Sequence, residues 1–172
     1  MKPPVELVAD ASSVINILAT GRGEEILALW RATLILTEFV DGEIKRNRSE
    51  LERLYALGRV RTRQLPALAF PLFTRAAAEV DDGEASAIAL AMHESGTLVT
   101  DDIRAKNVWR AMVGPEGGAV HDTCELLQRL ETQLERTVLR EILMAMETGA
   151  RFRPPRAHAS WWARVVSPTL PQ

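Results

Sequence analysis

Short apolar runs of strand length alternate with longer segments of helical period along this chain. Val5 to Ala9 leads into a helical stretch through Leu18, and Thr33 to Leu36 into one from Glu38. Thr97 to Thr100 leads into one from Ile103, and Ala119 to His121 into one reaching Leu134. Such alternation predicts βαβ crossovers, and so a parallel sheet covered by helices on both faces. The expected fold is α/β, a three-layer α/β/α arrangement around a short central parallel sheet of four to five strands. In such sheets functional groups gather beyond the carboxyl ends of the strands. Two runs end on aspartate there: Asp10 closes the first, and Asp101 and Asp102 follow Thr97 to Thr100.

Local signals refine this frame. Ser12 or Ser13 is placed to cap the first helix, which Gly21 ends, and Glu24 to Arg31 reads as a second. Thr37 is placed to cap a helix over Glu38 to Arg46. Ser49 opens another, with Leu51, Leu54 and Leu57 on one face and Gly58 as its stop. Over residues 59–73, Val60 and Leu65 fit a strand, while Pro66 and Pro71 punctuate a loop. Thr74 to Val80 reads as a short helix. Gly83 to Ser95 is alanine-rich, ends at Gly96 and is the strongest helix signal in the chain. Gly114 to Gly118 reads as a loop, and Thr137 to Thr148 as a helix stopped by Gly149. From Arg151 onward the chain is proline-rich and reads as irregular. The expected organisation is one domain over residues 1–153 and a C-terminal tail over 154–172. Trp161 and Trp162 in that tail read as folding back onto the chain's own core; an apolar anchor for a partner or second subunit is the alternative.

The totals exclude several classes. At 172 residues, 47% hydrophobic and 26% charged, the chain suits one soluble domain with a real core. No stretch approaches the roughly 20 apolar residues of a membrane span. Lys2, Pro3 and Pro4 do not make a secretory pattern, so the cytoplasm is the expected location. The single cysteine, Cys124, excludes an intrachain disulfide and a cysteine-based zinc cluster, and reads as a buried small hydrophobe. A net charge of −2 does not advertise nucleic-acid binding. Lys45, Arg46, Arg48, Arg53, Arg59, Arg61 and Arg63 nevertheless crowd one stretch. A basic stretch beside an acidic pocket suits a polyanion held by its phosphates; a solvated helix face is the plain alternative.

Four acidic motifs carry the chemistry. A carboxylate at Asp10, behind an apolar run, must meet a cation, a donor or water, because burying it unpaired is costly. It also fits a helix N-cap. Glu43 borders the stripe formed by Val40 and Ile44, with Glu38 and Asp41 as competitors and a surface glutamate as the plain reading. Glu84 stands in the first turn of the alanine-rich helix, where the helix dipole alone favours a carboxylate. Asp101 and Asp102 diverge in direction, and either could cap the helix that follows. Separated carboxylates that converge in a fold make a site for a hard divalent cation. His93, His121 and His158 read as structural.

In this order, with these flanks, the motifs resemble the PIN-domain family. These are metal-dependent ribonucleases that include the VapC-type toxins of bacterial toxin–antitoxin pairs. The resemblance rests on Val8-Ala9-Asp10-Ala11-Ser12, Val40-Asp41-Gly42-Glu43-Ile44, Gly83 to Ala91 and Thr100-Asp101-Asp102, with Thr123 after a short strand. It covers roughly residues 5–150. It implies Asp10, Glu43, Glu84 and Asp102 as the catalytic acids, with Mg²⁺ or Mn²⁺ held by Asp10, Glu84 and Asp102. Ser12, Thr100, Asp101 and Thr123 would support them or meet substrate. It also implies an RNA substrate, a cognate antitoxin protein and a homodimer. The alternatives are a housekeeping RNA-processing nuclease and a PIN-fold binding module without activity.

Overall fold

β1 (Val5–Ala9), β2 (Ala32–Thr37), β3 (Val60–Arg63), β4 (Thr97–Val99) and β5 (Val120–His121) pair in parallel, in the order β3-β2-β1-β4-β5. The computed structural model describes residues 4–114 and 117–167. Residues 115 and 116 of the expected 114–118 loop, the N-terminal residues 1–3 and the tail from 168 lie outside the described residues. Helices flank the sheet in a three-layer α/β/α arrangement. They are α1 (Ala11–Ala19), α2 (Gly23–Leu29), α3 (Glu38–Glu43), α4 (Arg48–Ala56), α5 (Phe70–Ala77), α6 (Asp82–His93), α7 (Ile103–Val113), α8 (Thr123–Gln128), α9 (Arg136–Gly149) and α10 (Ala159–Val166). β2 is buried along its whole length, as a parallel strand covered on both faces must be.

The strand order reverses at β1. β2 and β3 extend the sheet to one side of it, β4 and β5 to the other. A crevice opens at such a reversal, beyond the carboxyl ends of the two central strands. Here Ala9 lies beside Val99, so Asp10 and Thr100 leave the sheet together. The Asp10 amide donates to the Val99 carbonyl at 3.1 Å.

α6 packs under the crevice. Its residues Ala85 to Ala91 are all buried, and small side chains let it approach the sheet closely. Ser86 Oγ shares a 2.6 Å hydrogen bond with Thr37 Oγ1 at the end of β2 and donates to the Gly83 carbonyl at 2.7 Å. The first turn of α6 is thereby tied to the sheet.

Several elements differ from the sequence reading for identifiable reasons. α1 is capped by Asp10, not by Ser12 or Ser13: the Asp10 side chain accepts from the Ser13 amide. α3 stops at Glu43 because Ile44 turns extended (ψ 97°) to send its side chain into the core. α5 starts at Phe70, ahead of the expected Thr74. Pro71 lies in its first turn, where a missing N–H leaves no helical bond unmade. Residues 60–63 settle as a strand. The helix expected to reach Leu134 ends at Gln128. Leu51 and Leu54 are buried as expected, while Leu57 is 47% exposed.

The largest difference is α10, in a segment read as irregular. Trp161, Trp162 and Val165 form one buried face, spaced as a helix requires. They join Ile26, Leu127, Leu139, Leu143 and Phe152 in a second apolar cluster, and the Phe152 and Trp162 rings lie 5.4 Å apart. Trp161 Nε1 donates to Glu131 at 3.0 Å, and Arg164 pairs with the same carboxylate at 2.6 Å. The tryptophans thus fold back onto the chain's own core. Trp162→Ala is expected to cost about 3–5 kcal/mol, the range for truncating a buried aromatic. Chemical denaturation would show it as a lower midpoint, and an unchanged midpoint would mean that α10 adds nothing to the core.

Candidate active site

The crevice between β1 and β4 collects acids from three elements. Asp10 follows β1, Asp101 and Asp102 follow β4, and Glu84 stands in the first turn of α6, while Glu43 ends α3. Asp10 is buried, and both its oxygens are engaged. Oδ1 accepts from the Ser13 amide at 2.8 Å and Oδ2 from Thr100 Oγ1 at 2.5 Å, while Ser12 Oγ reaches both at 3.0 Å. Burial lifts the Asp10 carboxyl to about 6; hydrogen bonds from Thr100 and Ser13 oppose this, and the Asp101 charge adds to it.

Thr100 is a junction. Its hydroxyl donates to Asp10 and accepts from the Asp102 amide at 3.2 Å. The two aspartates beyond it divide. Asp101 points inward: Oδ2 accepts from Asn16 Nδ2 at 2.7 Å and Thr123 Oγ1 at 2.6 Å, and Oδ1 from the Thr123 amide at 2.8 Å. Burial raises its pKa, against those donors. Asp102 caps α7, its Oδ1 accepting from the Arg104 and Ala105 amides at 2.7 and 2.9 Å.

Glu84 faces this group. Burial, then the charges of Asp102, Asp10 and Asp81, push it to about 7, against a hydrogen bond from the Asp81 amide. Glu43 is set apart. It is exposed, and its carboxylate lies on the first turn of α6 against Gly83, where it meets Asp81 and Asp82. Burial raises its pKa, and the Gly83 amide offsets part of the rise. Its sequence competitors are bound elsewhere: Asp41 to Arg48 at 3.0 Å and Tyr55 at 2.9 Å, and Glu38 to Gln64 at 3.1 Å.

The donors suit a hard divalent cation. The groups around Asp10 and Glu84 offer carboxylate and hydroxyl oxygens, the ligands such ions select. Glu84 and Asp102 are partly open to solvent. Ser13 Oγ, fully buried next to Asp10's cap, lacks a hydrogen-bond partner.

A second polar cluster lies nearby, and the sequence reading missed it. The ligand atoms of Asp122, Glu125 and His158 fall within 4.8 Å of one another, closer than the predicted acids are gathered. Lys106 Nζ sits 2.6 Å from Asp122 Oδ2, and His158 Nε2 lies 3.2 Å from the same oxygen. A metal could use these ligands, but the buried ammonium already supplies the positive charge that Asp122 needs. Burial favours a neutral Asp122; hydrogen bonds from Lys106 and the Glu125 amide, with the Lys106 and His158 charges, outweigh it and hold the carboxyl below its ordinary range. The available signals were Lys106 beside the Ala105/Trp109 stripe of α7, and Asn16 within the apolar face of α1.

The basic stretch is largely neutralised. Arg48 pairs with Asp41, Arg53 with Glu24 and Glu50, Arg61 with Glu6, and Arg63 with Glu6 and Glu94. Lys45 and Arg46 remain exposed just beyond Glu43.

A family model described as a PIN domain (DUF3368) matches residues 6–162. The chain belongs to the PIN-domain family. Among proteins of curated function, none matches the sequence. A solved structure, VapBC2 from Rickettsia felis bound to a DNA fragment from their promoter, is similar over 69% of this chain and 98% of that chain, at 14% identity and a TM-score of 0.48. Among the described residues, no helix of this PIN domain is long and apolar enough to cross a membrane.

Two outcomes follow from the charges. Lys106→Met would leave Asp122 buried without its cation, a loss of about 3–5 kcal/mol, read as a lowered unfolding midpoint; an unchanged midpoint would refute it. Glu84 and Asp10 titrate above their ordinary values of 4.5 and 3.8, so the native state holds protons that the unfolded chain has released. Their contribution to stability therefore falls as pH rises from about 4 to about 7. In EDTA, Glu84→Gln is expected to melt above wild type at pH 8 and to show a flatter pH profile. Superimposable profiles would sink this reading.

Proposed function

We propose that this PIN domain is an endoribonuclease that hydrolyses RNA phosphodiester bonds with Mg²⁺ or Mn²⁺, and that it acts as the toxin of a type II toxin–antitoxin pair. The observation that supports the nuclease reading is that the Asp10 and Asp102 charges act on Glu84 where the strand order reverses. A divalent ion held by these three would supply Lewis acidity and a water of lowered pKa at the phosphate.

The chain's own residues prepare that place. Thr100 and the Ser13 amide fix the Asp10 carboxylate, and Asn16 and Thr123 fix Asp101. Capping of α7 orients Asp102. Ser12, exposed and hydrogen-bonded to Asp10, is placed to meet substrate, and Glu43 stands at the rim as ligand or water-orienting group. Lys45 and Arg46 beyond Glu43 offer charge for the RNA backbone. Support for a homodimer is an apolar face on α3 and α5: Phe39 and Phe70 are 40% and 48% exposed and both pack against Phe73, Phe70 edge-on. The toxin role and its antitoxin rest on the sequence motifs shared with VapC-type proteins.

The test is cleavage of a mixed structured RNA by purified protein with Mg²⁺, Mn²⁺ or EDTA. Asp10→Asn is expected to cut at least about 100-fold more slowly, since even groups one shell from a metal cost 10- to 100-fold. Cutting in EDTA, or undiminished by Asp10→Asn, would overturn the site. Expression in a bacterial host should arrest growth, and Asp10→Asn should relieve it; growth unaffected by an active enzyme would favour the housekeeping role.

A further inference from the structure

Gly83 is the second residue of α6, a position where alanine would hold the helix better. Its backbone is not in the left-handed region that calls for glycine; among the described glycines only Gly21, Gly58 and Gly114 are. Space supplies the reason. A Cβ built on Gly83 would collide with both carboxylate oxygens of Glu43 and lie 2.6 Å from its Cδ. The carboxylate occupies the place a side chain would take, over a helix turn whose amides lack intrahelical partners and whose dipole favours negative charge. Ser86 grips the Gly83 carbonyl and Thr37, so the platform is fixed to the end of β2. Glu84, the next residue, turns toward Asp10 and Asp102. One turn of helix thus serves two acids from different elements: Glu43 rests against Gly83, and Glu84 springs from the next position.

We propose that Gly83 is a positioning residue: its missing side chain seats the Glu43 carboxylate on the first turn of α6, at the rim of the acidic site. Its catalytic consequence rests on the nuclease reading above; the seating does not.

The test compares Gly83→Ala, Glu43→Ala and the double variant by thermal melting, by the backbone amide resonance of residue 83, and by metal-dependent RNA cleavage. Gly83→Ala is expected to melt at or above the wild-type temperature and to cut as slowly as Glu43→Ala. The double variant should be no slower than Glu43→Ala alone. Adding Glu43→Asp, one methylene shorter, should recover part of the rate in the Gly83→Ala protein and slow the wild type. Wild-type cleavage by Gly83→Ala, or losses that multiply in the double variant, would overturn the proposal. The amide resonance decides the seating without activity. It should shift in Glu43→Ala, and an unmoved Gly83 amide would overturn the seating even if cleavage fell. An amide that shifts in Glu43→Ala, beside a wild type that cuts no RNA, would keep the seating and remove the nuclease reading.

Discussion

One carboxylate joins the two halves of the sheet at their seam. Asp10 caps α1 through the Ser13 amide, takes the Thr100 hydroxyl from the far side of the strand reversal, and bonds through its own amide to Val99. A charge buried there is costly unless donors surround it, and Asp10 has them. Those donors fix the relative placement of the segments after β1 and β4. The aspartates that follow β1 and β4 take their place from that seam.

The acids around it solve the problem of like charge in different ways. Asp101 is held by three donors and serves as a brace between α1 and α8. Asp102 spends one oxygen on the α7 amides. Glu84 takes the Asp81 amide, and burial with the Asp102, Asp10 and Asp81 charges pushes its pKa up. Behind them, Asp122 sits in a separate compartment with its own cation, Lys106, and with His158 from the C-terminal segment. Since Thr123 follows Asp122 directly and holds Asp101, the C-terminal segment and the crevice share one short stretch of backbone.

The architecture was legible because strand-length apolar runs and helical segments alternate, and because strand ends carry the aspartates. α7 and β1 could be bounded from sequence, having clear caps or breaks. α10 was not legible: Pro154 and Pro155 announce a loop, and eight residues are too few for a periodicity to stand out before the tryptophans find a core. Pro71 misled similarly, since proline marks a helix start as readily as a loop. In the site, the position of Asp10 and Thr100 at strand ends was legible, but their approach waits on the strand order, and Glu43 could not be placed. Its position depends on α3 stopping where Ile44 turns into the core, and on a gap at Gly83 forty residues away. The pairing of the basic stretch was hidden likewise, because Glu6 and Glu94 reach it only through the folded sheet.

The two edges of the sheet are both poor templates for another strand. β5 is two residues long, and β3 carries Arg61 and Arg63, which lean across the sheet toward Glu6. Short or charged edges resist backbone pairing between chains. Crowding of many copies, as during strong expression, therefore has no ready route to growth by strand addition. Any contact between copies of this domain falls to side chains rather than to backbone pairing.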